Sequence, residues 1–237
     1  ITSYGVRELN FTNNYFDIPA GYLNKSLNAI TYNGGLIYDV GKKEAVYQKT
    51  IPLDMVAHVF KQADLYGGIH VQTYTKDAFI CEHDTAESLF YQKKTGCDRK
   101  VVQDVFAELK GEEPCKVLTI AHGFDRKHLE GFREAMMPWV QGKLDVYFSC
   151  REYLEFMPLG VDKGHAVRWM AEYFDVSMED TIAVGDEEND LPMIKAAGVG
   201  AVMKNASDKM KEYGDYITER DNNEGGVAEV IQKYMLE

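Results

Sequence analysis

The sequence predicts an α/β fold: a doubly wound, Rossmann-like parallel-sheet core with an α+β cap domain inserted into it. Three observations predict it. The last third of the chain alternates short apolar runs with segments of helical periodicity, as strands do when helices carry the chain between parallel neighbours. The middle instead holds β-like runs separated by turn-length gaps, the pattern of paired antiparallel strands. Prolines punctuate both edges of that middle stretch, at Pro52 and Pro158, where regular structure breaks. The expected boundaries are residues 1–51 and 158–237 for the core and 52–157 for the cap.

Each element follows from local pattern. "ITYNGGLIYD" (30–39) reads as strand, turn and strand, with Asn33 and Gly34 in a hairpin-type turn. "GIHVQTYT" (68–75) and "AFICEH" (78–83) are β-like and separated by Lys76 and Asp77. "CKVLTIAH" (115–122) is another strand. Leu129, Phe132, Met136 and Val140 mark a helix, and "LDVYFSC" (144–150) pairs with "REYLEFMP" (151–158) as a hairpin. Further on, Ala166, Val167, Met170, Ala171 and Phe174 share one helical face. "TIAV" (181–184) is short and continuously apolar, which suits a strand buried on both faces. A helix is expected over residues 191–197, with Pro192 in its first turn and Gly198 as its C-terminal stop. "VGAVM" (199–203) and "DYIT" (215–218) are strands, and Val227, Val230, Ile231 and Tyr234 mark a final amphipathic helix.

Composition narrows the function classes. Of 237 residues, 45% are hydrophobic and 27% charged, as in ordinary globular chains. A net charge of -12 argues against nucleic acid as a partner, because a phosphate backbone needs a basic surface. No run is long and apolar enough to cross a bilayer. The opening "ITSYGVREL" has no basic stretch followed by an apolar core, so a cytoplasmic location is expected. Cys81, Cys97, Cys115 and Cys150 are scattered, which reads as reduced thiols and not as a zinc site. The chain starts at Ile1 and not at Met, so its natural N-terminus is expected to lie outside this sequence.

The chemistry concentrates in "IAVGDEENDLPMIKAAGVGAVM" (182–203). An apolar run stops at Gly185, and Asp186, Glu187, Glu188, Asn189 and Asp190 follow at once. Carboxylates crowded at a strand end repel one another, and a divalent cation removes that cost. Magnesium takes oxygen ligands, usually one or two carboxylates with water and substrate phosphate. Asp186 is the natural ligand, and Asn189 can bond a phosphate oxygen. The plain alternative is a solvated acidic turn, with Asp190 capping the next helix. Lys163, just before a helix, can neutralise phosphate and carboxylates, though most lysines are merely surface groups. Thr2 and Ser3 offer hydroxyls near the start of the chain.

The order of these pieces resembles the haloacid dehalogenase superfamily, and specifically the Cof-type phosphatases with a large α/β cap. "GDEEND" is similar to the fourth motif, G-D-x-x-N-D; Lys163 in "GVDKG" is similar to the third-motif lysine; "YNGG" resembles the N-G-A segment after the second motif. The resemblance is strong over residues 158–237, clear near 30–40 and weaker in the cap. One departure stands out. The first motif, D-x-D-G-T, which carries the family's nucleophilic aspartate, does not occur in this sequence.

What the resemblance implies is a Mg²⁺-dependent phosphomonoester hydrolase acting on small phosphorylated metabolites, such as sugar phosphates, through an aspartyl-phosphate. It implies Lys163 and Asp186 as catalytic residues, Asp186 at the metal with Asp190 supporting the loop or reaching the metal through water, and Thr2 or Ser3 at phosphate together with Asn33 and Asn189. The cap is expected to select the leaving group, with Ser149, Arg151 and Glu155 as candidates. Two other readings stay open at this point: a noncatalytic binder of phosphate or sugar phosphate, and a phosphotransferase on the same scaffold. The oligomeric state is not legible.

Overall fold

The computed structural model describes residues 28–39 and 42–236. By contacts these residues fall into two compact units, one holding the stretch up to Val46 together with everything from Asp162, the other holding Tyr47–Val161.

In the first unit, β1 (Asn28–Thr31) and β2 (Leu36–Asp39) form an antiparallel hairpin in which Thr31 pairs with Leu36. The turn is therefore wider than a two-residue Asn-Gly turn. Tyr32 and Asn33 both take left-handed backbone, and Gly34 follows at φ +104°. β3 (Glu44–Gln48) completes that small sheet. The parallel sheet of the core is built by β10 (Ile182–Gly185), β11 (Val199–Val202) and β12 (Tyr216–Ile217), in that order. β10 pairs with β11 from Ile182↔Val199 to Gly185↔Val202, and β11 pairs with β12, both parallel.

Four helices link or flank these strands: α5 (Lys163–Tyr173), α6 (Leu191–Ala196), α7 (Asp208–Lys211) and α8 (Gly226–Ile231). Ala183, Met193, Ile194, Val202, Ala206 and Met210 form a buried cluster between helices and sheet. The alternating pattern of the sequence thus gives the parallel sheet it predicts. Gly198 differs from expectation. It does not end α6 in left-handed backbone; a Cβ there would run into the Glu179 carbonyl, so glycine permits close packing instead.

The second unit contains α1 (Leu53–Tyr66), β4 (Ile69–Tyr74), β5 (Phe79–Cys81), α2 (Ala86–Thr95), β6 (Arg99–Val101) and α3 (Val105–Leu109). It continues with β7 (Val117–Ala121), α4 (Arg126–Val140), β8 (Leu144–Cys150) and β9 (Tyr153–Pro158). Its sheet runs β6-β5-β4-β7-β9-β8. All neighbours are antiparallel except β5 and β6. Val56, Val59 and Phe60 of α1 and Leu129, Phe132 and Met136 of α4 share one core with Val71, Val117, Leu154 and Phe156 of the sheet.

On β4 the alternate positions His70, Gln72 and Tyr74 point to one face. They form a buried hydrogen-bonded chain: His70 Nε2 to Gln72 Oε1 at 2.9 Å, Gln72 Nε2 to Tyr74 Oη at 3.1 Å, and Tyr74 Oη to Tyr91 Oη on α2 at 2.8 Å. Thr85, the N-cap of α2, meets His70 Nδ1 at 3.0 Å. Cys81 and Cys115 are buried and Cys150 half-buried, and all four thiols are free. Burial pushes Cys81 and Cys115 up to about 11 and Cys150 up to about 12, which leaves them protonated and unreactive at neutral pH.

Candidate active site

The acidic loop leaves the carboxyl end of β10, where open α/β sheets place their ligands. Gly185 is the last residue of that strand, and a Cβ there would collide with the Asp190 side chain. Glycine therefore lets the Asp190 carboxylate fold back against the strand end. Asp190 is 5% exposed. Its Oδ2 accepts hydrogen bonds from the backbone N–H groups of Asp186 (2.9 Å) and Glu187 (3.1 Å), and its Oδ1 takes the Lys163 ammonium. Both oxygens are thus committed to donors of the protein.

One sequence expectation changes here. Asp190 precedes α6, but its side chain makes no cap bond to that helix and serves the loop instead. Asp190 sits behind the loop and beside Lys163, its two oxygens bonded to loop amides and to that ammonium.

Lys163 opens α5. Asp162 is the N-cap of that helix, and its Oδ1 accepts from the His165 backbone N–H at 2.6 Å. The turn between β1 and β2 packs on the same helix start. A Cβ on Gly34 would lie 2.7 Å from the Asp162 carbonyl oxygen, in a backbone region that side chains avoid. That packing brings Asn33, which is 1% exposed, to the acidic loop, where its Oδ1 accepts from Asn189 Nδ2 at 3.2 Å. Asn189 Oδ1 is buried and has no partner among the described residues. Asp186 is half-buried, and its Oδ2 accepts from Asn205 Nδ2 at 2.7 Å.

The charge at this place is unbalanced. Burial pushes the Glu187 carboxyl up; Asp186, Asp190 and Glu188 push it further, and Lys163 opposes them. Among the described residues no three His, Cys, Asp or Glu side chains converge on a metal-sized site. A cation here would rest on the Asp186 carboxylate, with water and substrate oxygens, which is the sparse protein ligation that Mg²⁺ accepts. The excess negative charge and the all-oxygen donors fit Mg²⁺.

The structure therefore brings together Asn33, Lys163, Asp186, Asn189 and Asp190. Thr2 and Ser3 lie outside the described residues. In the second unit Glu155 is not a surface group: it is 1% exposed and paired with Lys116, and Ser149 donates to it. Arg151 is exposed. Sequence reading missed Asn205, whose signal was faint: one asparagine just after an apolar strand.

A lysine at a helix start, a buried aspartate binding loop amides and a second aspartate beyond the strand end meet here. The profile of haloacid dehalogenase-like hydrolases matches residues 12–231. The chain belongs to that family. The M6_Spy0533 protein of Streptococcus pyogenes serotype M6 is 28% identical over 213 residues, 90% of this chain and 77% of that protein. The 5-amino-6-(5-phospho-D-ribitylamino)uracil phosphatase YwtE of Bacillus subtilis is 25% identical over 243 residues, 93% of this chain and 82% of that protein. A haloacid dehalogenase-like hydrolase from Bacteroides thetaiotaomicron superposes with a TM-score of 0.77 at 29% identity, over 87% of this chain and 76% of its own. The family resemblance of the motifs is borne out, as is the parallel-sheet core. No described helix is long and apolar enough to cross a membrane.

Proposed function

We propose that this hydrolase is a Mg²⁺-dependent phosphomonoester hydrolase acting on small phosphorylated metabolites, sugar phosphates among them. The observation that carries the reading is the clamp of Lys163 and the loop amides on Asp190, next to Asp186 at the end of β10. Lys163 would neutralise phosphoryl oxygens as charge develops on them. Asp190 would orient that lysine and set the shape of the loop. Asn33 and Asn189 form an amide pair whose NH₂ groups would donate to phosphate oxygens. Asp186 would hold Mg²⁺, which supplies Lewis-acid neutralisation of the phosphoryl group. In the family's chemistry an aspartate attacks phosphorus and displaces the substrate's alcohol, and water then hydrolyses the aspartyl-phosphate to inorganic phosphate and free aspartate. That aspartate is not in this sequence. The second unit would select the leaving group as a cap.

A second reading is phosphate binding without turnover. It asks only for the Lys163, Asn33 and Asn189 groups that meet at the end of β10. One experiment tests both. Phosphate release from a panel of sugar phosphates is measured with and without Mg²⁺, for the wild type and Asp186→Asn, beside calorimetric titration of Mg²⁺. Mg²⁺-dependent release that vanishes in Asp186→Asn supports the hydrolase. Binding of inorganic phosphate without release supports the binder. Mg²⁺ binding unchanged in Asp186→Asn would sink the metal assignment.

A further inference from the structure

Asp186 and Asn205 sit on the loops that follow two adjacent parallel strands, β10 and β11. The ladder between those strands runs one bond further, since the Met203 backbone N–H donates to the Gly185 carbonyl at 2.9 Å. The backbones on either side of the two residues are therefore fixed relative to each other. Asn205 Nδ2 then donates to Asp186 Oδ2 at 2.7 Å.

An exposed amide usually rotates and trades its partners for water. This one is held at its other end. The Asn222 backbone N–H donates to Asn205 Oδ1 at 3.0 Å. A backbone N–H can only donate, so it fixes which end of the amide is oxygen and leaves the NH₂ facing Asp186.

Asn222 is itself anchored. Asp221 Oδ1 accepts from the N–H groups of Asn223 (2.7 Å) and Glu224 (2.9 Å). The Glu229 carboxylate on α8 accepts from the N–H groups of Glu219 (2.8 Å) and Arg220 (3.1 Å) and from the Tyr216 hydroxyl (2.6 Å). One residue before Asn205, the Lys204 N–H donates to the buried Thr218 hydroxyl at 3.0 Å. Hydrogen bonds, joined by the backbone of the 219–224 loop, thus tie α8 through Asn222 and Asn205 to one carboxylate oxygen of Asp186.

We propose that Asn205 is a positioning residue for Asp186. It occupies Oδ2 and fixes the rotation of the carboxylate, so that the other oxygen is presented for a cation. Outer partners of metal-binding carboxylates commonly change metal affinity by about 10- to 100-fold when removed. The inference rests on the reading of Asp186 as a Mg²⁺ ligand.

The test is calorimetric titration of Mg²⁺ into the wild type and Asn205→Ala. Urea midpoints in chelator and hydrogen exchange of the Asn222 amide are measured on the same samples. Expected are a Mg²⁺ affinity about tenfold weaker in Asn205→Ala, an unchanged urea midpoint, and faster exchange at Asn222, which has lost its acceptor. Equal Mg²⁺ affinity in the two proteins overturns the positioning role alone. A weakened affinity accompanied by a lowered urea midpoint also overturns it, since Asn205 would then act through folding. A folded wild type that binds no Mg²⁺ overturns the metal reading, and the positioning role with it.

Discussion

Lys116 with Glu155 and Lys163 with Asp190 are both buried lysine–carboxylate pairs, and their surroundings differ. The first pair is sealed in the second unit's sheet, with side chains 0% and 1% exposed. Lys116 Nζ lies 3.1 Å from Glu155 Oε1, which also accepts from Ser149 at 2.7 Å, and the Tyr74 ring covers the ammonium at 4.9 Å. The second pair is 11% and 7% exposed. Its carboxylate spends the other oxygen on two loop amides beyond a strand end. Burial is therefore no mark of a site. A closed pair is satisfied within its sheet, whereas Lys163 stands at the open end of parallel strands with ammonium donors to offer a ligand.

The largest effect should come from breaking the closed pair. Lys116→Met leaves Glu155 buried without its counter-charge, which is expected to cost about 3–5 kcal/mol. Replacing both partners, as in Lys116→Met with Glu155→Leu, should restore most of that stability. Urea unfolding of the three proteins measures this. A single substitution costing under ~1 kcal/mol would show that the pair is not desolvated as its geometry indicates.

The same polar face of the second unit holds His70, which is 2% exposed. Burial lowers its pKa from 6.5 to about 4, with Gln72 and Glu87 opposing and His122 and His83 assisting. The folded state thus prefers neutral His70. Its contribution is fully present above pH 6.5 and is lost as pH falls toward 4. Because each pKa unit is worth 1.36 kcal/mol, the loss is roughly 3 kcal/mol. Urea midpoints from pH 7 to pH 3.5 should fall more steeply for the wild type than for His70→Asn. Parallel curves would refute it.

Opening the other pair should cost the fold less and damage the site. In Lys163→Met, Asp190 still keeps two amide donors, so stability is expected to fall by about 1.5–3 kcal/mol, less than for the closed pair. Affinity for inorganic phosphate should drop roughly tenfold or more, the worth of one charge-assisted hydrogen bond. A large loss of stability with unchanged phosphate affinity would reverse the contrast drawn between the pairs.

How much of this could be read beforehand depended on what local pattern encodes. Strands β10 and β11 announce themselves as continuous apolar runs, and Lys163, Asp186 and Asn189 fall at motif spacings. The service of Asp190 to the loop did not follow, because a carboxylate before a helix is ordinarily a cap and only the glycine contact at position 185 turns it backward. The partnership of Asn205 with Asp186 depends on two loops meeting across a parallel ladder, which no single segment records. Glu155 did not announce itself as half of a buried ion pair, because its counter-charge, Lys116, lies 39 positions away in sequence. Helix α1 carried a readable signal in Val56, Val59, Phe60 and Ala63, one buried face at helical spacing.

The smallest expected effect sharpens the comparison most cleanly, because it holds chemistry constant. Asp125 caps α4 and Asp162 caps α5, each through Oδ1 accepting backbone N–H groups of the first turn. Replacing either with Ala should cost about 1 kcal/mol of stability. Asp125 holds a helix whose buried face packs into the second unit's core. Asp162 holds the turn from which Lys163 reaches Asp190, and its carbonyl meets the Gly34 turn that carries Asn33. Asp162→Ala should therefore weaken phosphate binding severalfold beyond its effect on the urea midpoint, while Asp125→Ala moves the midpoint alone. Equal behaviour of the two variants in both measurements would mean that the start of α5 is no more tied to the site than the start of any other helix.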